Sequence, residues 1–269
     1  ALILGVTYFL PLDVSFSAWF FYLVVKGENV VAAALGYRDP GAGAAALVPY
    51  TGEQGAGAFL AIALFAFWGA RRHLRAVVRK AFGAAPKVRD ADEALSYRTA
   101  VFGFLLSLAG LVLFVTLGGM AWHLAALFFV LYLLMITACT RFRAEAGPML
   151  GYGPDLNPHR MMALLPGTRA WEIGTLVPFA YLNWFDSDYR TAAMPQQMEA
   201  LKMMDAGAGS SGITPRAITP WIMLAGAVAA VTAFVAVLAI YYHHGALTPR
   251  GDNGWREYNG RMPFLTIRS

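Results

Sequence analysis

The sequence predicts an all-α fold, a polytopic integral membrane bundle, and three observations carry that prediction. Of 269 residues, 58% are hydrophobic and only 14% charged, against about 25% charged in soluble domains. The mean hydropathy is +0.52. The apolar residues also gather into runs near the ~20 residues that cross ~30 Å of hydrocarbon. The net charge of +5 is local, because eight of the 21 basic residues fall between Arg71 and Arg98. That placement points to an anionic lipid leaflet and excludes a nucleic-acid surface.

The runs define about five spans within one membrane domain, residues 1–269: about 1–25, 55–70, 99–119, 121–140 and 218–242. The first carries Pro11 and Asp13, the one acidic residue that falls inside a span. Proline removes a helical hydrogen bond and crowds the preceding turn, so a helix broken at Pro11–Asp13 is expected, with a second half starting near Val14. The second span is short for a crossing, which leaves room for a start upstream of Gly55. Arg71, Arg72, Arg75, Arg79, Lys80, Lys87 and Arg89 follow it, so the positive-inside rule puts loop 71–98 in the cytoplasm. Alternation then puts 26–54 outside, makes Gly118–Met120 a tight outer turn, puts 141–217 inside and leaves the tail 243–269 outside. Trp68, Trp122, Tyr241 and Tyr242 fall at span ends, where aromatic residues anchor. Gly103, Ser107 and Gly110 would permit close helix packing.

Residues 141–217 are too many for a plain loop. The apolar piece Trp171–Trp184, broken by Gly174 and Pro178, predicts re-entrant or interfacial structure. Pro195 suits the first turn of a helix whose Met194, Met198, Leu201 and Met204 oppose Gln197, Glu199 and Lys202, lying along the membrane surface or under the bundle. Ala206–Gly212 reads as a flexible link.

Candidate chemistry is sparse. Asp13, with Ser15 and Ser17, would line a substrate or ion site where the helix breaks, as discontinuous transporter helices do. An ionisable group at that depth costs at least ~2.5 kcal/mol, which makes it a functional candidate by default. The alternative is that Asp13 is only a helix cap. Arg143 and Glu145 would pair or gate, with Gly147 and Pro148 ending their helix; the alternative is a solvated helix end. Gly151-Tyr152-Gly153-Pro154-Asp155 has a faint likeness to a potassium-filter loop, but a turn fits better. Asp186 and Asp188 could approach a cation, yet no EF-hand spacing follows, and a turn at a helix entrance is the better reading. No metal site is expected otherwise; His123, His243 and His244 are the residues that would ligate a haem or pigment metal, against the commoner reading as interfacial histidines. His73 and His159 carry no ligand spacing. The single Cys139 excludes an internal disulfide and cysteine-based metal sites, and reads as core packing. No metalloprotease, serine-hydrolase or Walker motif occurs, and a second Asp within a span, needed by an aspartyl protease, is lacking, so the chain is not expected to be an enzyme. Ala1 is preceded by no methionine or basic stretch, so no complete signal peptide can be read and a longer parent chain is expected.

Taken together, Tyr8-Phe9-Leu10-Pro11-Leu12-Asp13-Val14-Ser15-Phe16-Ser17 with Trp19-Phe20-Phe21-Tyr22, Arg143-Ala144-Glu145-Ala146-Gly147, and Asp188-Tyr189-Arg190 leading to Met194-Pro195-Gln196-Gln197-Met198-Glu199-Ala200-Leu201-Lys202 resemble an uncharacterised family of large bacterial polytopic membrane proteins. That family is distantly similar to oligopeptide transporters. The resemblance implies that the chain corresponds to the central-to-C-terminal part of longer proteins in a bacterial inner membrane. The expected function is a secondary-transporter-like carrier of unknown substrate, with lipids as partners. The alternative is an accessory or structural subunit packed against other subunits of a larger assembly that could bear pigments or haems.

Overall fold

A computed structural model describes residues 8, 10–37, 48–84, 88–147, 153, 156–164, 171–189, 192–211, 214–245, 248, 260–261 and 264. Among them the elements are all helical: α1 (Leu12–Ala34), α2 (Thr51–Ala81), α3 (Tyr97–Leu117), α4 (Trp122–Ala146), α5 (Pro158–Leu164), α6 (Ile173–Asp186), α7 (Ala193–Ser211) and α8 (Pro215–His244). The all-α membrane bundle is therefore what the chain forms. Four helices, α2, α3, α4 and α8, are long and apolar enough to cross a membrane, where five spans are expected from the sequence.

The missing fifth is the first. Pro11 takes the N-cap position, with φ −55° and ψ 145°, and α1 starts at Leu12. It then continues through Lys26 and Glu28 to Ala34, so three charges ride on a 23-residue helix. Lys26–Ala34 is thus helix and not outer loop, and before Pro11 only residues 8 and 10 are described. At 31 residues α2 is about 46 Å long. It outruns the hydrocarbon, and Arg71, Arg72, Arg75, Arg79 and Lys80 sit on its continuing last turns instead of in a loop. Its start at Thr51 lies upstream of Gly55, as anticipated.

Between α3 and α4 the chain turns within Gly118–Met120. Gly119 takes φ +105°, a conformation that favours glycine. The Met120 amide returns to the Val115 carbonyl at 3.3 Å, and its side chain is buried. At the other end Gly147 closes α4 in the left-handed conformation, its amide bonding the Arg143 carbonyl at 3.0 Å.

Helix α4 is the organiser, packing against α2, α3, α5 and α7. One core cluster joins Val115, Met120, Ala125, Phe128 and Phe129 to Met162, Ala163, Phe179 and Leu182. A second joins Ala56, Met135 and Cys139 to Leu156 and Tyr189. Cys139 is a core residue, as expected. These clusters fix the placement of α5 and α6. Leu156 and Tyr189 lie at the middle of α4, Met162 and Ala163 lie beside Phe128 and the α3–α4 turn, and Gly174 meets Gly119 in that turn. α5 therefore climbs from the middle of α4 toward the turn, and α6 descends from the turn back to the middle. With 7 and 14 residues, neither is long enough to span. They form a helical hairpin packed against α4 that does not itself span.

Other details of residues 141–217 differ from the sequence reading. Gly174 and Pro178 do not break α6. Pro178 lies in its second turn, where its missing N–H would have met the Gly174 carbonyl, and that carbonyl faces the Gly119 backbone instead. Ala206–Ser211 continues α7 and is not a flexible link. The face of α7 toward α4 presents Glu199, while Met194 and Met198 are exposed. Among the described residues nothing lies within 4 Å of a Cβ built at Gly103 or Gly110, so these two make no close helix contact there. α8 has no buried residue along its 30 positions and touches the rest mainly through α7.

Candidate functional site

The hairpin base holds the polar side chains that are most deeply buried. Asp186, the last residue of α6, and His159, in the first turn of α5, are each 1% exposed. The His159 backbone N–H donates to Asp186 Oδ2 at 2.7 Å. Asn157 sets up this turn: its side-chain oxygen accepts the Arg160 amide at 3.0 Å and its carbonyl accepts the Met161 amide at 2.9 Å, with Pro158 as the first helical residue. Asn157 Nδ2 also reaches the Asp186 carbonyl at 3.5 Å, a long contact.

The His159 ring stacks on Phe179 at 4.3 Å, and Trp171 meets the same Phe179 edge-on at 4.7 Å. His159 Nδ1 lies 3.1 Å from the Phe179 carbonyl oxygen. A carbonyl only accepts, so Nδ1 carries the proton and Nε2 presents a bare lone pair. Tyr189 is buried with its ring stacked on Tyr132 at 5.9 Å, and Phe185 tilts onto Tyr132 at 4.6 Å. Gly153 allows this packing, because a Cβ there would collide with the Tyr189 ring.

Among the described residues, three polar atoms of this group have no hydrogen-bond partner: Asp186 Oδ1, His159 Nε2 and Tyr189 Oη. Burial pushes the Asp186 carboxyl up to about 8, with the His159 N–H only partly offsetting it. Burial pushes the His159 imidazole down to about 4, the Phe179 carbonyl opposing and Arg160 assisting. The Tyr189 hydroxyl is pushed up from its usual value, chiefly by burial and then by the Asp186 charge. Near neutral pH the group is therefore a neutral acid, a neutral imidazole and a neutral phenol. An ionised carboxylate in that place would cost several kcal/mol of desolvation.

The sequence-derived candidates fare differently. Asp13, Ser15 and Ser17 occupy the first turns of α1, where Asp13 Oδ1 accepts the Val14 amide at 3.0 Å and the carboxylate is exposed. This is a contact within the first turn and not a cap, because Pro11 holds the N-cap position and no side chain caps α1. Arg143 and Glu145 do not pair with each other, because positions two apart on a helix point to different sides. Arg143 instead makes a two-pronged contact with Glu199 of α7, with Nη2 to Oε2 at 2.7 Å. Glu145 pairs with Arg141 at 2.5 Å on the surface. His123 lies exposed beside Trp122, and His243 and His244 stack on each other at 4.8 Å. No group of three or more His, Cys, Asp or Glu able to hold a metal occurs among the described residues. The filter-like loop lies outside the described residues, apart from Gly153.

Sequence reasoning misses Asp186 and His159 as partners. It groups Asp186 with Asp188 as a turn and sets His159 aside for lack of ligand spacing. The signals are present: an Asn-Pro helix start at Asn157 and Pro158, and an Asp closing an apolar 14-residue stretch. What joins them is 27 residues of separation that only the hairpin closes.

Fold and apolar surface together define a helical membrane protein with a buried acid in a non-spanning hairpin. The chain belongs to the family of unknown function DUF6785, whose model matches residues 1–269. No curated protein and no solved structure matches it.

Proposed function

We propose that the chain forms part of a secondary-transporter-like membrane protein in which the α5–α6 hairpin carries the site. One observation supports this above the rest: a carboxyl 1% exposed, level with the middle of spanning helix α4, on a hairpin that does not itself span. Carriers build sites near the midplane from non-continuous helices, and ionisable groups at that depth mark pathways. The distant likeness to oligopeptide transporters fits the same reading. Arg143 with Glu199 ties α7 to the end of α4 and acts as the gate on that side. The basic turns of α2 lie in the cytoplasm of a bacterial inner membrane. No enzyme chemistry, cofactor or nucleic acid enters this reading.

Cys139, the chain's single cysteine, supplies the test. It is buried in one cluster with Leu156 and Tyr189 of the hairpin base, so it can react only when that base moves. In vesicles of either orientation, a membrane-impermeant maleimide is expected to reach Cys139 from each face. Reaction from one face only, or from neither, overturns the carrier reading.

A second reading, an accessory subunit of a larger assembly, is favoured by α8. An apolar helix with no buried residue is suited to foreign helices as well as to lipid. Under that reading Cys139 reacts from neither face.

A further inference from the structure

We propose that Asp186 is the site at which this protein binds its coupling ion, a proton, and that loss of this proton releases the α5–α6 hairpin from α4. Coupling rests on the carrier reading above, whereas proton binding by Asp186 stands separately.

The geometry selects a proton over a larger cation. Asp186 has one oxygen held by the His159 amide at 2.7 Å and the other without a partner. No ion pair among the described residues reaches it. The titratable groups that face it are Tyr132 from α4, His159 from α5 and Tyr189 from its own segment, with Cys139 beside the two tyrosines and Arg160 acting on His159. Arg160 is exposed, and no ion pair among the described residues joins it to the Asp186 carboxyl. A calcium ion takes six or more oxygens, and no group of three or more His, Cys, Asp or Glu able to hold a metal occurs among the described residues. The closed packing therefore accommodates Asp186 as the neutral acid.

The exchange is simple to balance. In the closed hairpin Asp186 holds the proton on its carboxyl. When the base opens, water reaches Oδ1, the O–H bond breaks, the proton passes to water and the carboxylate is hydrated. Reclosure takes one proton back from water. The acid's raised value, about 8, means the closed form carries one more proton than the hydrated form from about 3.8 upward. His159 works the other way, falling from 6.5 to about 4, so the closed form carries one fewer imidazole proton in that interval. Between about 4 and 6.5 the two cancel, and opening only moves a proton from Asp186 to His159. From 6.5 to about 8 His159 is neutral in both states and Asp186 acts alone. Closure is therefore insensitive to pH on the acid side and weakens as pH rises from 6.5 to about 8.

The experiment measures Cys139 alkylation from pH 5.5 to 9 in the unmodified chain and in Asp186→Asn. Asn keeps an acceptor for the His159 amide and is neutral throughout. Taking the ratio of the two rates cancels the thiol's own pH dependence. Because His159 is present in both chains, its contribution also divides out, and the ratio is expected to rise by up to about tenfold per pH unit from 5.5 until about 8 and then to level, as one proton released by Asp186 requires. A ratio level across the whole range overturns the proposal. Infrared difference spectra of the unmodified chain give a second reading that needs no variant to fold. A protonated-carboxyl band that disappears with a midpoint near 8 supports the proton site, and an Asp186 already ionised at pH 6 overturns it. Two-sided labelling with an ionised Asp186 leaves the carrier reading and sinks only the proton. One-sided labelling with a titrating band does the reverse.

Discussion

The backbone amide of His159 donates to the Asp186 carboxylate oxygen across 2.7 Å, joining the start of α5 to the end of α6 through residues 27 apart in sequence. This one bond closes the base of the hairpin, and both side chains lose their contact with water in making it.

Removing the acceptor should therefore cost more than removing the charge. Asp186→Ala leaves a buried amide unpaired, at about 1–3 kcal/mol. Asp186→Asn keeps an acceptor. For the native acid, a value raised from 3.8 to about 8 means stability present in full below about 3.8 and lost as pH rises through about 8. Asn has no such loss. Thermal unfolding in detergent at pH 6 and pH 9 should show Asp186→Asn gaining on the parent by up to about 2–3 kcal/mol at the higher pH. An equal difference at both values would remove the buried acid from the account.

His159 carries the opposite sign. Its value is depressed to about 4, so its contribution is present above 6.5 and lost as pH falls through about 4. His159→Asn offers an amide N–H near the Nδ1 position but loses the stack on Phe179, and should cost about 1–2 kcal/mol at pH 8. Because Asn never has to shed a proton on burial, that deficit should narrow as pH is lowered to 5. Unfolding midpoints at the two pH values check this, and a deficit that widens on acidification would contradict the depressed imidazole.

What is legible in the sequence follows from the range of the forces involved. The four apolar helices and the Gly119 and Gly147 turns depend on local runs and on single glycines, and they fall close to where they are read. The helix start near Pro195 is likewise local. Pro11 reads as a break because it lies inside an apolar run, whereas it starts α1, and that helix runs on through Lys26 and Glu28, charges that the sequence assigns to a loop. The site is the least legible part. Asp13 stands out in a hydropathy run yet is exposed, whereas Asp186 looks like one half of a polar turn and is buried. Burial of Asp186 comes from α5 and from the aromatic side chains of α4, and neither is near it in sequence.

Two ion pairs near the end of α4 should differ in weight. Arg143 meets Glu199 with both prongs of its guanidinium, and its side chain is largely buried, so the pair ties α7 to α4. Arg141 and Glu145 are four residues apart on one exposed face. Double-mutant cycles to alanine should give a coupling of about 1 kcal/mol or more for Arg143 with Glu199, and about 0.3–0.5 kcal/mol for Arg141 with Glu145. Comparable values would mean that α7 is held by its apolar contacts and that Arg143 is no gate.

The glycines provide the sharpest contrast in packing. Gly119 has φ +105°, and a Cβ there would stand 3.0 Å from the Gly174 carbonyl oxygen. Alanine at this position must adopt an unfavourable backbone and also push α6 away from the turn, so both effects act in the same direction. A loss of about 1–3 kcal/mol is expected for Gly119→Ala. Gly103 and Gly110 lie within α3 on ordinary helical backbone, and a methyl added at either would meet no heavy atom of the described residues. Alanine there removes backbone freedom from the unfolded chain and adds no clash, so the change should be neutral or stabilising by up to about 1 kcal/mol. Unfolding midpoints of the three variants decide the matter. Destabilisation by Gly103→Ala or Gly110→Ala as large as that by Gly119→Ala would show that another helix closes on α3 in the membrane, which is the outcome the accessory-subunit reading requires.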